Sequence, residues 1–248
     1  MSVYNISMQR TIKFSVLEYY HIYNRGTDKR KIFLDDKDYK RFILLLLISN
    51  SDKKFQVRDY WNRPWQDIFE INFGSRLVDI GAYCLMPNHF HLLIREKTEG
   101  GISKFLKKIL TGYSMYFNLK YKRTGSLFEG VFKAEHIGDD RYLKYLFAYI
   151  HLNPIGIVES GWKKKEIGDV VSTKQFLNGY TFSSLLEYQE KIRPESVIIN
   201  KKVFPEYFKK VADFDSMLNE FISWAEENRK NKKEKLIGED LARVLSGK

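Results

Sequence analysis

Apolar positions along the first 155 residues recur at two spacings, and the switches between them mark out the elements. Residues 17–24 are rich in aromatic and β-branched side chains (Tyr19, Tyr20, Ile22, Tyr23), which predicts a strand. Arg25, Gly26, Thr27 and Asp28 close it with turn chemistry. Asp35, Asp36 and Asp38 lead into the apolar residues 39–48. Acids suit the positive end of a helix dipole, so this run is expected to be helical. Residues 49–75, with Trp61 and Trp65 around Pro64, keep neither period and are expected to form an inserted loop or hairpin. Residues 78–86 read as a buried strand, Pro87 and Asn88 break it, and residues 89–95 form the next. Gly100 and Gly101 precede a long amphipathic helix over 103–121, with Phe105, Ile109, Tyr113, Tyr116 and Phe117 at helical spacing. Gly125 and Gly130 flank a strand over 128–137, and Asp139 and Asp140 open a third helix that Pro154 limits.

The first six elements, strand–helix–strand–strand–helix–strand, are those of a ferredoxin-like or RRM-like α+β sandwich. Such a fold is one antiparallel sheet with helices on one face. Its open face is where function tends to be placed. Past residue 155 the texture changes. Lys163, Lys164 and Lys165 and the polar residues around them suggest a linker or peripheral segment, and the pattern over 204–224 predicts a helical extension at the C-terminal end.

Composition narrows the class. The chain is 44% hydrophobic and 29% charged, which excludes wholesale disorder. Its longest apolar run, residues 42–48, falls far short of the roughly 18 residues that span a bilayer. The N-terminus does not read as a signal peptide. A single cysteine, Cys84, excludes a disulfide framework and a cysteine-based zinc site, and Cys84 itself is expected to be a small core residue. A soluble, cytoplasmic protein without membrane contact is the expectation. The 42 Lys+Arg against 31 Asp+Glu leave a net charge of +11, which favours a polyanionic partner. With 18 Phe, 16 Tyr and 4 Trp, unstacked bases come to mind before duplex. The competing reading is a basic surface over an aromatic core. Lys104, Lys107, Lys108, Lys120, Lys122 and Arg123 are the best candidates for a phosphate-binding surface, with Arg25 beside them; a solvated helix face is the alternative.

All five histidines lie between residues 21 and 151. His89-Phe90-His91 sits on a strand, whose two-residue repeat puts both imidazoles on one face and Phe90 on the other. Two nitrogen ligands can converge on one metal ion that way; two partly exposed histidines are the alternative. On the third helix Tyr149 and Asn153 are four residues apart and share a face, and Asn153 lies near the helix end, where its amide oxygen is available. If that face covers the histidines, His89, His91 and Asn153 form an open site of mixed nitrogen and oxygen ligands with Tyr149 beside it. Tyr142, Tyr145, Leu146 and Phe147 make a core aromatic stripe the alternative for Tyr149, and spacing does not choose. His21 is expected to be buried and hydrogen-bonded. His151 points about 200° around the helix from Tyr149 and stays outside the site. Glu135 and His136 rank below the other candidates as a metal pair.

The string Tyr83-Cys84-Leu85-Met86-Pro87-Asn88-His89-Phe90-His91-Leu92-Leu93 closely resembles the signature of the single-tyrosine, His-hydrophobic-His (HUH) transposases, and its nearest branch is similar to the REP-associated tyrosine transposases. Tyr20-His21-Ile22-Tyr23-Asn24-Arg25-Gly26 resembles that family's first strand, Tyr149 to Pro154 its catalytic helix, and Phe182-Ser183-Ser184 a paired-serine segment. The resemblance covers roughly residues 15–188. It implies that His89 and His91 hold a divalent metal, Mg²⁺ or Mn²⁺, with Asn153 completing the site; zinc stays possible from ligand type alone. It implies that Tyr149 is the nucleophile, cleaving single-stranded or hairpin DNA through a 5′-phosphotyrosine link and rejoining strands from it. The expected division is a catalytic domain over 15–160, a linker or peripheral segment over 161–200 and a helical extension over 201–248. Relatives act as monomers or as homodimers, so the resemblance leaves that open. Two other readings remain, a hairpin-binding module for DNA or RNA without catalysis and a hydrolytic metalloenzyme without a covalent intermediate.

Overall fold

The computed structural model describes residues 12–60, 62–162 and 169–207, with isolated residues beyond. The amphipathic pattern over 204–224 and the charged residues after it lie largely outside the described residues. The elements run β1 (Tyr19–Arg25), α1 (Asp36–Ile48), α2 (Trp65–Phe69), β2 (Val78–Met86), β3 (His89–Glu96), α3 (Gly101–Lys120), β4 (Lys133–Ile137), α4 (Asp140–Leu152), α5 (Ile155–Val158), α6 (Val170–Gly179) and α7 (Leu185–Tyr188). The sheet has the order β2-β3-β1-β4, and each neighbouring pair is antiparallel. That is the ferredoxin-like arrangement, in which hairpin β2–β3 is adjacent and β1 inserts between β3 and β4.

Local chemistry fixes the boundaries. Asp35 caps α1 by accepting from the Asp38 backbone N–H, and Asp38 answers it in a capping box. Asp139 caps α4 through the Tyr142 N–H. At α3 the buried Glu96 carboxylate accepts from the N–H groups of Gly101 and Ile102 at 3.0 and 3.2 Å, satisfying two orphan donors of that helix. Gly100 just before it has φ +67°, a left-handed conformation that favours glycine.

The sheet divides the molecule into two layers. Tyr20, Ile22, Val78, Ile80, Tyr83, Leu85, Phe90, Leu92 and Ile94 face one core, which α1 and α3 close with Phe42, Leu46, Phe105, Ile109 and Tyr113. On the other side Ala82, Cys84, Met86, Leu93 and Ile137 meet Leu143, Leu146, Phe147 and Ile150 of α4. Helices α1 and α3 therefore share one face as expected, and α4 covers part of the second because those sheet residues are apolar and need a partner. A bulge between Ile80 and Ala82 shifts the register of β2, so the core-facing residues change from even to odd numbers. Gly81 stands at that bulge, and a Cβ there would lie 2.6 Å from the Phe204 ring.

One region differs from the sequence pattern. β4 covers only Lys133–Ile137, half of the expected strand. Gly130 adopts φ +65°, and Phe128 makes a lone bridge to Gly26 instead. Of the two forms expected for residues 49–75 the loop is the one seen: among the described residues there they hold a 3₁₀ turn at Val57–Tyr60 and the short α2, and no strand. Residues 180–204 form a strap along the outer edge of β2. Leu85 N–H donates to the Phe182 carbonyl at 3.0 Å, Ser184 N–H to the Tyr83 carbonyl at 2.9 Å and Asn200 N–H to the Ile80 carbonyl at 2.9 Å. Tyr83 N–H donates to Ser184 Oγ at 2.9 Å, and the Tyr188 hydroxyl donates to the Gly81 carbonyl at 2.7 Å. Arg193 locks the strap through the buried Glu187 carboxylate at 2.6 Å and the Tyr83 hydroxyl at 2.9 Å.

Candidate active site

His89 and His91 project from β3 onto the face that α4 covers. Their rings are perpendicular, with centroids 4.9 Å apart. The hairpin turn fixes the first: Asn88 Oδ1 lies 2.6 Å from His89 Nδ1, while Asn88 Nδ2 donates to the Lys29 carbonyl. A proton on His89 Nδ1 puts the ring's lone pair on Nε2, the nitrogen that could then take a metal ion. His91 is buried, and its Nδ1 lies 2.9 Å from His21 Nε2 on β1. The sequence expectation for His21, burial with a hydrogen bond, matches this geometry.

Helix α4 brings Tyr149 to the same place. Its ring meets that of His91 edge-on at 5.4 Å and that of His21 at 6.1 Å, and stacks on Tyr145 at 6.1 Å. Tyr149 is half-buried rather than sealed in the core. Asn153, one turn on and buried, donates from Nδ2 to the Tyr149 carbonyl at 3.2 Å, which leaves the amide oxygen on its other side. His151 points away, as expected: it is fully buried against Phe147 and Tyr188, 2.9 Å from Ser184 Oγ, and burial lowers its pKa to about 3.

Sequence reasoning did not anticipate the part played by Glu135. This β4 residue pairs in register with His21, and its carboxylate accepts from the hydroxyls of Tyr23 at 2.8 Å and Tyr142 at 2.9 Å. His21 Nδ1 lies 3.7 Å from it. Burial works against the charge of Glu135, but the hydrogen bonds from Tyr23 and Tyr142 and the neighbouring His21 hold its carboxyl below the usual range. Burial and the bond to Glu135 push the Tyr23 phenol up to about 12, and the same causes push Tyr142 to about 12. His136 faces the opposite way, onto Tyr20 and Glu18, so Glu135 and His136 do not form a common site. The usable signal was strand alternation, which puts Glu135 and His21 on one face; the register that makes them neighbours is not written locally.

Among the described residues no cluster of three or more His, Cys, Asp or Glu side chains is arranged to hold a metal ion. Two imidazoles and an amide oxygen fit a divalent ion whose remaining positions are filled by water and substrate oxygens.

The basic candidates lie mostly in the other layer. Lys104, Lys107, Lys108 and Lys120 are on α3, across the sheet from Tyr149. Lys108 donates to the Ser51 carbonyl at 2.6 Å. Lys120 pairs with Asp35 and the buried Asp38, both at 2.7 Å. Arg25, paired in register with His89, binds Glu129 in a two-point contact. Lys122 and Arg123 line a groove of about 1500 Å³ with Lys37, Arg41 and Arg58. The structure thus sets Tyr149 against His91, with His89 beside His91 on the same strand face, Asn153 one helical turn from Tyr149 and Arg25 opposite His89 in the strand register, and it sets the α3 cations apart.

The family model described as "Transposase IS200 like" matches residues 16–153, more than half of the chain and inclusive of every residue in this cluster. The chain belongs to the IS200-like transposase family. Membership supports a transposase-type function on DNA. Among solved structures, a REP-associated tyrosine transposase bound to a REP hairpin is similar at 14% sequence identity and a TM-score of 0.42, over 79% of this chain and 90% of that one. No curated protein matches. Among the described residues no helix of this IS200-like transposase is long and apolar enough to cross a membrane.

Proposed function

We propose that this IS200-like transposase cleaves and rejoins single-stranded DNA through a covalent link to Tyr149, in the presence of Mg²⁺ or Mn²⁺. The observation that carries the reading is the edge-on approach of the Tyr149 ring to His91 at 5.4 Å, which sets a phenol beside the imidazole pair. The Tyr149 phenol gives up its proton as its oxygen attacks a backbone phosphorus; a phosphorus–oxygen bond to tyrosine forms, and the bond to the 3′ oxygen breaks. The leaving oxygen takes a proton and becomes a free 3′-hydroxyl. Reversal by a 3′-hydroxyl rejoins the strand and needs no outside energy.

His89, His91 and the Asn153 amide oxygen would hold the divalent ion. When bound, it supplies positive charge that polarises the phosphoryl oxygen and offsets the charge gathering there. Asn88 keeps His89 in the tautomer whose Nε2 ligates, and the packing of α4 on the sheet keeps Tyr149 within reach. Substrate in this reading is a single strand or hairpin, because a phosphate must lie between the helix and the sheet with its neighbours unstacked. Arg25 supports a strand near the histidines, and Lys104, Lys107, Lys122 and Arg123 offer further phosphate contacts; Lys108 and Lys120 serve chiefly internal partners.

The test is incubation with labelled single-stranded and hairpin oligonucleotides plus Mn²⁺ or Mg²⁺, read on a denaturing gel. A metal-dependent covalent adduct lost in Tyr149→Phe is expected. Binding without an adduct under either metal would overturn catalysis in favour of a binding module, and cleavage that survives Tyr149→Phe would make the protein a hydrolase.

A further inference from the structure

Two polar groups, His21 and Glu135, run in a line behind His91. Its Nδ1 meets His21 Nε2 at 2.9 Å, and the opposite nitrogen of His21 lies 3.7 Å from Glu135 Oε2. Strand pairing fixes the line: Tyr23 stands opposite His91, and His21 stands opposite Glu135. The rings of His21 and His91 are nearly parallel, 19° apart, with centroids at 5.1 Å. The Glu135 carboxylate is half-exposed on an edge strand, so nothing in core packing demands it.

Each proton along this line follows from the next. A carboxylate only accepts, so it draws the proton of a neutral His21 to Nδ1. His21 Nε2 is then an acceptor, and the 2.9 Å contact requires His91 to donate from Nδ1. His91 is left with its lone pair on Nε2. From these contacts we infer that Glu135 and His21 are positioning residues, a relay that fixes the tautomer and orientation of His91 as a metal ligand. The same carboxylate also binds Tyr142, which shares a face of α4 with Tyr149 seven residues on, so one group ties the nucleophile's helix to the histidine strand. Second partners of this kind raise a ligand's basicity and hold its ring, and losing one typically costs about 10–100-fold in metal affinity. The role rests on the proposed metal site, and the experiment below separates the two.

The test uses the full chain without metal and with Mn²⁺. Long-range ¹H–¹⁵N correlation spectra of the histidine rings read the tautomer of His91 directly. The wild type is expected to carry the proton on Nδ1. Glu135→Gln, which keeps shape on an exposed strand edge, and His21→Phe, which removes the acceptor, are each expected to mix the tautomers. Both should weaken Mn²⁺ binding about tenfold, measured by electron paramagnetic resonance titration, with Glu135→Gln still folded and its thermal midpoint lowered only by the weakening of one tyrosine hydrogen bond. A wild-type His91 protonated on Nε2, or a tautomer and Mn²⁺ affinity unmoved in both variants, would overturn the relay. His91→Ala judges the metal site itself. If that variant loses Mn²⁺ while the two relay variants keep it, the relay alone fails; if it binds Mn²⁺ as the wild type does, the metal reading fails and the relay to metal falls with it.

Discussion

Phe90 and His91 are adjacent in the chain and face opposite layers of one sheet. Phe90 packs on Phe42 and Phe128 in a layer closed by two long helices whose buried surfaces are almost wholly apolar. His91 looks into a layer where one helix covers the sheet incompletely, and where two strands and α4 contribute His21, Tyr23, Glu135 and Tyr149. One face supplies the burial that holds the sheet together. The other uses that rigidity to keep polar groups at fixed separations that they would not adopt alone. Stability and the proposed chemistry are thus carried by alternate residues of the same strand.

Substitutions on the two faces should therefore fail differently. The largest effect expected is from Tyr149→Phe: no covalent DNA adduct on a denaturing gel, with folding stability changed by less than about 1 kcal/mol. An adduct that persists would separate the tyrosine from the chemistry. Next comes Phe90→Ala, which should cost about 3–5 kcal/mol in urea unfolding through lost burial and the cavity left behind. A loss as small as that of a surface change would mean the core layer is loosely packed.

Lys120→Met sharpens the comparison at a charged position. It removes the cation facing the buried Asp38, whose carboxylate also accepts from Tyr116, Tyr121 and the Leu34 N–H. The side chain keeps partial contact with water, so the expected cost is about 2 kcal/mol of stability. Affinity for single-stranded DNA should hold steady, and a drop larger than the stability change explains would give Lys120 a second task.

His151 makes a pH test. Its folded pKa, near 3, lies below the ordinary value of 6.5, so the unfolded chain takes up a proton that the buried ring refuses. This stability is present above about pH 6.5 and is lost as pH falls toward 3. Between pH 7.5 and 5 the loss through this one group is about 2 kcal/mol. Urea midpoints of the wild type should fall more steeply with pH over that interval than those of His151→Leu. The smallest effect expected is from Lys122→Ala with Arg123→Ala: single-strand affinity reduced less than about tenfold, with a shallower salt dependence. No change in the salt slope would confine DNA to the Tyr149 layer.

The parts of this fold legible in the sequence are those that local chemistry dictates. Asp35 and Asp139 announce the starts of α1 and α4 as caps, and the nine buried residues of β2 read as one strand because both its faces are covered. His-x-His gave the shared face of His89 and His91 from strand period alone, while the role proposed for Tyr149 came from the resemblance. What stayed hidden depends on register and depth. The meeting of His21 with Glu135 requires knowing that β1 pairs with β4, and no short motif encodes that. The cations of α3 looked like one phosphate surface in sequence; in the fold Lys108 and Lys120 turn inward to carbonyl and carboxylate partners. β4 was overdrawn because Phe128 and Phe132 are apolar without continuing the ladder.

The strap along β2 also gives the chain a timetable. Until residues 180–200 arrive, the outer edge of a nine-residue, fully buried strand has no partner for several of its backbone groups. A ribosome adding about 5–20 residues per second leaves that edge bare for about 2–8 seconds after residue 160 has been made. A chain stopped at residue 160 would keep the histidines, the tyrosine and α4, yet present a sticky edge to its own copies. It should precipitate where one carried through residue 204 stays in solution, so a segment made after the whole sheet and α4 is the sheet's protection against aggregation.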